Sequence, residues 1–245
     1  MRTVAVVLAG GSGLRLGGET PKQLRLLAGR PLIEHCVAAF DRAPGIDEIV
    51  LVMPADLVSE AERILGGRYA TVSSVIAGGA DRPESTRRAI DLLTGRYQDC
   101  DVLFHDAARP LVDQRIIADC VAGLAHCEAL GVVVPTADTI VTVNDGLMTS
   151  IPPRESLGRC QTPQGFRLSV IRRAHELATA ELAAAELATA DLAGAEPGGF
   201  MATDDCGMVL RYMPDVEVRA VPGSERNLKI TYPADFRIAE ALLAT

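Results

Sequence analysis

The stretch VVLAGGSGLRLGGETPKQ, residues 6–23, runs an apolar segment straight into a loop of small residues. Ala9, Gly10, Gly11, Ser12, Gly13, Gly17 and Gly18 crowd that loop, and the cations Arg15 and Lys22 stand in it. The wholly apolar, β-branched run just before it reads as a strand, Thr3 to Leu8, buried on both faces. Small residues after such a strand let backbone N–H groups wrap a phosphate chain or a base edge. A bare glycine turn is the plain alternative. Two familiar templates do not fit. A P-loop would end in Gly-Lys-Ser/Thr, and a dinucleotide fingerprint would need a third glycine where Leu16 stands.

Working outward, the same rhythm repeats. Residues 48–54 (EIVLVMP), 72–76, 101–106 (DVLFHD) and 131–135 (GVVVP) read as strands, and 31–40, 55–65, 84–93 and 114–130 as helices. Strands that are apolar throughout, alternating with helices, predict an α/β fold with a mostly parallel sheet covered on both faces. Ligands of such sheets sit at the carboxyl ends of the strands. The loops after Leu8, Ile76, Phe104 and Val134 therefore carry the chemistry.

At 245 residues the chain has room for one large α/β domain or two small ones. Its 4% aromatic content, without Trp, predicts an aliphatic core. A net charge of −8 argues against nucleic acid as a partner, so any phosphorylated ligand needs cations gathered locally. No apolar run approaches the roughly 20 residues of a membrane span, and the opening residues lack the features of a signal peptide. Six cysteines without CxxC spacing suit reduced thiols and a cytoplasmic location.

Two segments break the rhythm. TIVTVNDGLMTSIPP alternates like an antiparallel hairpin turning at Asn144-Asp145-Gly146, too polar for a core, and predicts an arm over about 136–160. ELATAELAAAELATADLAGAEPGG, residues 176–199, is a five-residue pseudo-repeat of helix formers. Leucines at every fifth position drift by about 140° per step around a helix. A helical insertion or extension without chemical role is expected there.

The remaining loops supply polar groups. AGGADRPES (77–85) again sets two glycines at a strand end, and its Ser85 reads equally as an ordinary first-turn helix residue. HDAARP (105–110) places Asp106 and Arg109 at the sheet edge, either as a structural salt bridge or as groups for Mg²⁺, a sugar hydroxyl or a phosphate. Lys229 in NLKIT, between apolar neighbours in an expected short strand, needs an anion.

LAGGSGLRLGGETPKQ, GGADRPES, HDAARP, ADTI, QTPQGF, ATDD and NLKIT follow in the order and spacing of one family. The chain resembles the CTP-dependent polyol-phosphate cytidylyltransferases, which act on 2-C-methyl-D-erythritol 4-phosphate or ribitol 5-phosphate. The likeness covers nearly the whole chain except residues 176–199. It implies one Rossmann-like, GT-A-like nucleotidyltransferase domain over residues 1–245, with a projecting β-arm. It also implies Arg15 and Lys22 as catalytic cations over the triphosphate. Ala9, Gly10, Gly11, Gly79, Ala80, Ser85, Ala107 and Lys229 would line the nucleotide, Ala80 standing where the methylerythritol branch is often acidic. Asp106, Arg109, Thr139, Arg154 and Thr162 would face the polyol phosphate. Mg²⁺ is the implied cofactor, with Asp106 as its protein ligand, and the arm implies a homodimer.

The implied reaction is in-line attack of a substrate phosphate oxygen on the α-phosphorus of CTP, with loss of pyrophosphate. Phosphates are already ionised at neutral pH, so positioning and charge neutralisation suffice. A sugar-1-phosphate nucleotidyltransferase would share the first loop but lack HDAARP and TPQ; a non-catalytic regulatory module would lose Arg15 or Lys22. LAGG, Ala80 and ERNLKIT look more like the ribitol branch, and HDAARP, QTPQGF and TDD more like the methylerythritol branch. Methylerythritol phosphate is the expected acceptor, with ribitol phosphate, another polyol phosphate or a phosphonate as the alternatives.

Overall fold

The computed structural model describes residues 1–10, 20–189 and 204–244. Along the chain come β1 (Thr3–Leu8), a small hairpin of β2 (Leu26–Leu27) and β3 (Arg30–Pro31), α1 (Leu32–Asp41), β4 (Glu48–Met53), α2 (Val58–Leu65) and β5 (Val72–Ala77). Next are α3 (Arg82–Arg96), β6 (Asp101–Asp106), α4 (Gln114–Leu124) and β7 (Ala129–Pro135). A second hairpin, β8 (Thr142–Asn144) and β9 (Leu147–Ser150), precedes β10 (Gly158–Arg167), α5 (Leu168–Thr189), α6 (Asp205–Tyr212), β11 (Val218–Pro222) and α7 (Pro233–Leu243).

Seven strands make one sheet in the order β11-β7-β10-β6-β1-β4-β5. All pairings are parallel except those of β10, which runs antiparallel between β6 and β7. The mostly parallel α/β sheet expected from the alternation is what forms. Side chains of β1 alternate between two cores, as a period of two requires. Ala5 and Val7 pack with α1, α2 and α4 through Val37, Phe40, Leu65 and Ile117. Val4 and Val6 pack with α3, α5 and α6 through Ile90, Leu93, Ile171 and Val209. Each fully buried Val, Leu or Ile contributes about 1.5–3 kcal/mol, so a strand buried on both faces must be apolar at every position. A third, smaller cluster of Leu27, Leu32, Ile230 and Ala239 lies under α7.

Several boundaries differ from the sequence reading. The helix expected over 114–130 ends at Leu124, and Ala129 and Leu130 already belong to β7. Arg167 N–H donates to Glu128 O at 2.8 Å, so sheet pairing has begun by that residue. The helix expected over 84–93 spans Arg82–Arg96 behind the Asp81 cap, whose side chain accepts from Glu84 N. The helix expected over 55–65 opens as a 3₁₀ turn, Ala55–Leu57, before α2 begins. QTPQGF lies in β10 at the heart of the sheet. Lys229 stands in irregular chain, not in a strand.

The two odd segments also resolve. β8 and β9 form an exposed hairpin, with Asp145 and Gly146 both at positive φ, 48° and 77°, the two-residue turn that suits strand twist. Val143, Leu147, Met148 and Ile151 all stand exposed on or beside it. The pseudo-repeat does not begin as a free insertion: α5 runs into it from Leu168, Ala178 is buried in the core, and Glu181 pairs with Arg211 at 2.8 Å. Its remainder from residue 190 lies outside the described residues. Among the described residues no helix is long and apolar enough to cross a membrane.

Candidate active site

The carboxyl ends of β1, β5 and β6 meet along one edge of the sheet. Ala9 N–H continues the ladder to Val52 O at 2.8 Å, and Gly78 N–H does so to Met53 O at 2.7 Å. Gly10 comes so close to Ser85 that a Cβ there would lie 3.1 Å from its hydroxyl. Ser85 is more than a first-turn helix residue. Buried at 2% exposure, it donates to Asp81 O at 2.8 Å and accepts from Gly79 N at 3.0 Å, clamping the glycine loop to α3. Glu84 folds back over that loop to take Ala80 N–H at 2.8 Å. A Cβ at Gly79 would stand 2.3 Å from Glu84 Cγ, so only glycine fits. Ala9, Gly10, Gly79, Ala80 and Ser85 are thus neighbours, while Gly11 and Arg15 lie outside the described residues.

Beside this neutral half lies a charged one, centred on Asp106. Arg82 Nε approaches Asp106 Oδ1 at 3.3 Å, and Lys229 Nζ donates to Oδ2 at 2.8 Å. Arg82 also reaches Asp205 at 2.9 Å. Burial alone would push the Asp106 carboxyl up; Arg82 first, then Lys229 and Arg109, reverse this and hold it well below the usual carboxylate range. Burial likewise opposes the charge of Arg82, and Asp205 and Asp106 raise it above its ordinary value. Lys22 Nζ donates to Ile230 O, the residue after Lys229, whose own side chain is fixed in the cluster under α7. Ile230 N–H in turn donates to Ala108 O at 2.8 Å, and Ala107 N–H to Leu8 O at 2.9 Å. Lys22, Ala107 and Lys229 therefore gather around one loop.

The structural salt bridge between Asp106 and Arg109, one of the two alternatives for that loop, does not form. The Arg109 guanidinium, buried, donates to Asn227 O at 2.8 Å and Cys160 O at 3.3 Å, and its Nε has no partner. Among the described residues no carboxylate lies within ion-pair distance of it. Thr162, on β10, accepts from Asp106 N at 3.1 Å and lies 3.0 Å from His105 Nδ1. Thr139 and Arg154 meet each other on the arm at 3.1 Å and bond to neither Asp106 nor Arg109. Lys229 is a half-exposed side chain with its anion supplied by Asp106, rather than a buried stem in a strand.

Arg82, Asn227, Gln164 and Asp205 were not singled out in the sequence. Gln164 joins β10 to the start of α6, donating to Asp204 Oδ2 at 2.8 Å and accepting from Asp205 N at 3.0 Å. Arg82 left one signal. It is the first residue of α3, where the helix dipole disfavours a cation. A cation at that point implies carboxylates close by.

His105 is fully buried and held neutral, burial pushing its imidazole down to about 4. An unfolded histidine titrates near pH 6.5, so between about 4 and 6.5 the unfolded chain binds a proton that the folded chain does not. Stability is lost as pH falls through that window, by about 3 kcal/mol from this residue. Urea midpoints at about pH 7 and about pH 4.5 check this. His105→Gln is expected to show a clearly smaller loss than the parent, and equal losses would refute it.

A family model described as IspD, 2-C-methyl-D-erythritol 4-phosphate cytidylyltransferase, matches residues 3–245. The chain belongs to the IspD family. It is 48% identical, over 100% of its length and 94% of the relative's, to the 2-C-methyl-D-erythritol 4-phosphate cytidylyltransferase of Thermobifida fusca (strain YX). It is 35% identical to the Haemophilus influenzae bifunctional ribulose 5-phosphate reductase/CDP-ribitol pyrophosphorylase Bcs1, over 98% of this chain and 48% of that protein. Among solved structures, the 4-diphosphocytidyl-2C-methyl-D-erythritol synthase of Anaerococcus prevotii superposes with a TM-score of 0.81 at 26% identity, covering 100% of this chain and 99% of that one. Open α/β sheets such as this IspD one bind their ligands at the carboxyl edge of the strands.

Proposed function

We propose that this IspD-family chain transfers CMP from CTP to 2-C-methyl-D-erythritol 4-phosphate, releasing pyrophosphate. The observation that carries the reading is a surplus of cations over the two carboxylates they face, Asp106 and Asp205. Arg82, Arg109 and Lys229 converge around Asp106, and Lys22 reaches the backbone of Ile230 beside Lys229, in a chain whose net charge is −8. Two substrates rich in phosphate supply the missing anions. The nucleotide lies along Ala9, Gly10, Gly79, Ala80 and Ser85, and the acceptor phosphate faces Arg109, Thr162 and the Asp106 side. The acceptor oxygen attacks the α-phosphorus in line. No base is required, and His105, neutral with both ring nitrogens engaged, offers none. Lys22 and Arg15 neutralise the charge that builds on the transferring phosphoryl group and the departing pyrophosphate.

Mg²⁺ fits these residues in one way. Among the described residues no three His, Cys, Asp or Glu side chains cluster as a metal cage. Mg²⁺ needs only one or two carboxylates when water and phosphate oxygens supply the rest. Asp106, ionised and with lone pairs beyond those facing Arg82 and Lys229, would be that carboxylate. Bound there, the ion would neutralise triphosphate charge.

The relatives support the reading of the acceptor, and the arm supports a reading of the assembly. The Thermobifida fusca relative is named for methylerythritol phosphate, and the Haemophilus influenzae one for CDP-ribitol, which makes ribitol 5-phosphate the second reading. The exposed apolar side chains of the β8–β9 hairpin suit burial against a second copy of the chain, giving a homodimer in the cytoplasm. Pyrophosphate release, measured with CTP, UTP, ATP and GTP against each acceptor, tests the reading. CTP with methylerythritol phosphate is expected to exceed every other pair by about a hundredfold or more. Faster turnover with ribitol 5-phosphate would transfer the assignment to the second reading.

A further inference from the structure

We infer that His105, donating from Nε2 and accepting at Nδ1, is a positioning residue that locks Arg109 and Thr162 around Asp106. The hydrogen bonds leave one consistent arrangement. Nε2 faces Arg109 O at 3.0 Å, and a carbonyl oxygen can only accept, so Nε2 carries the proton and donates. Nδ1 is then the acceptor of this tautomer, and among the described residues its hydrogen-bond partner is the Thr162 hydroxyl at 3.0 Å. That hydroxyl already accepts from Asp106 N–H at 3.1 Å, so its own hydrogen is available for Nδ1. The chain of bonds therefore has a single direction: Asp106 N–H to Thr162 Oγ1, Thr162 O–H to His105 Nδ1, His105 Nε2–H to Arg109 O.

The ring is held from its other side as well. Phe40 of α1 meets it edge-on, with centroids 5.1 Å apart, and both rings are fully buried. One side chain thus ties the end of β6, the turn that carries Arg109, and the β10 residue beside Asp106. Arg109 and Thr162 keep their remaining polar capacity for a ligand: Arg109 Nε is unpartnered, and Thr162 is turned by His105 rather than by substrate.

This inference rests on the proposed acceptor side of the site, and its test separates the two. Asn at position 105 can mimic Nδ1 and Gln can mimic Nε2. His105→Asn keeps an acceptor for Thr162 and abandons Arg109 O, while His105→Gln does the reverse. Each folded variant is expected to lower kcat/KM for methylerythritol phosphate by about ten- to hundredfold, with KM for CTP within about threefold of the parent. His105→Ala, which loses both ties, is expected to fall furthest, with the Asn and Gln variants recovering part of its loss. A structural role would instead lower the fraction of active sites and leave both KM values unchanged. The second measurement uses the parent protein and stands even if every variant fails to fold. Imidazole ¹⁵N correlations at neutral pH are expected to show a neutral His105 protonated on Nε2. A ring protonated on Nδ1, or folded variants with unaltered acceptor kinetics, would overturn the inference. Absence of turnover by the parent with any polyol phosphate would overturn the functional reading and leave the ring measurement intact.

Discussion

Replacing Lys22 by alanine is expected to lower kcat by about 10²–10³ while KM for CTP changes by only a few-fold. The physical ground is where the ammonium stands. Lys22 sits in a 3₁₀ turn, Lys22–Leu24, outside the sheet, and reaches across to Ile230 O. It forms no ion pair with Asp106, whose oxygens face Arg82 and Lys229. Its ammonium stands beside the loop that carries Ile230 and Ala108, where a group that becomes more negative as reaction proceeds would feel its charge. An interaction felt equally by bound CTP and by the transition state would appear in KM; one that strengthens with developing charge appears in kcat. Stopped-flow pyrophosphate release at saturating CTP measures the difference. Near-parental kcat in a folded Lys22→Ala protein would remove charge neutralisation by this residue from the mechanism.

Complementation between two inactive chains is the second large effect expected. An Arg154→Ala chain and a Lys22→Ala chain, each nearly silent alone, should recover towards half the parental activity per dimer when mixed. Arg154 and Thr139 touch each other on an exposed arm and contact none of the groups around Asp106 in their own chain. An isolated two-stranded hairpin is marginal in water, and this one exposes Val143, Leu147 and Met148. Two-fold symmetry would cover those side chains and bring each arm to the partner's site. In a mixed dimer, one site then carries both lesions and the other neither. Tagged chains purified as verified mixed dimers decide the matter. Activity no higher than either parent would mean that Arg154 serves its own chain or no site.

Sequence legibility followed burial. β1, β4 and β6 are covered on both faces, so their runs are continuously apolar and stand out. β10 hid because its buried centre is polar: Gln161, Thr162 and Gln164 are satisfied by Ser224, Asp106, His105 and Asp204, partners that lie far along the chain. Polar residues without visible partners read as loop. Lys229 illustrates the same gap, since its carboxylate lies 123 residues away and only the fold brings them together. The end of α4 was missed for the opposite reason, because an apolar helix and an apolar strand adjoin with only a short polar turn between them. The glycine loops, Asp106 and Arg109 were legible by position, as residues just past strand ends; their actual partners were not.

The antiparallel strand between β6 and β7 also sets the order in which this molecule can become competent. β1, β4, β5 and β6 all lie within the first 106 residues and pair with one another, so the nucleotide half can assemble from the first hundred-odd residues leaving the ribosome. The charged half cannot. It waits for β10 to slot in beside β6, for α6 to meet Gln164, and for Lys229 to arrive from near the C-terminus. Those are the long loop closures that make folding slow. Until they are made, β6 presents a bare apolar edge that invites pairing with another chain. Synthesis therefore passes through a stage able to collapse but not to catalyse, and the final closure completes the core and the charged pocket together.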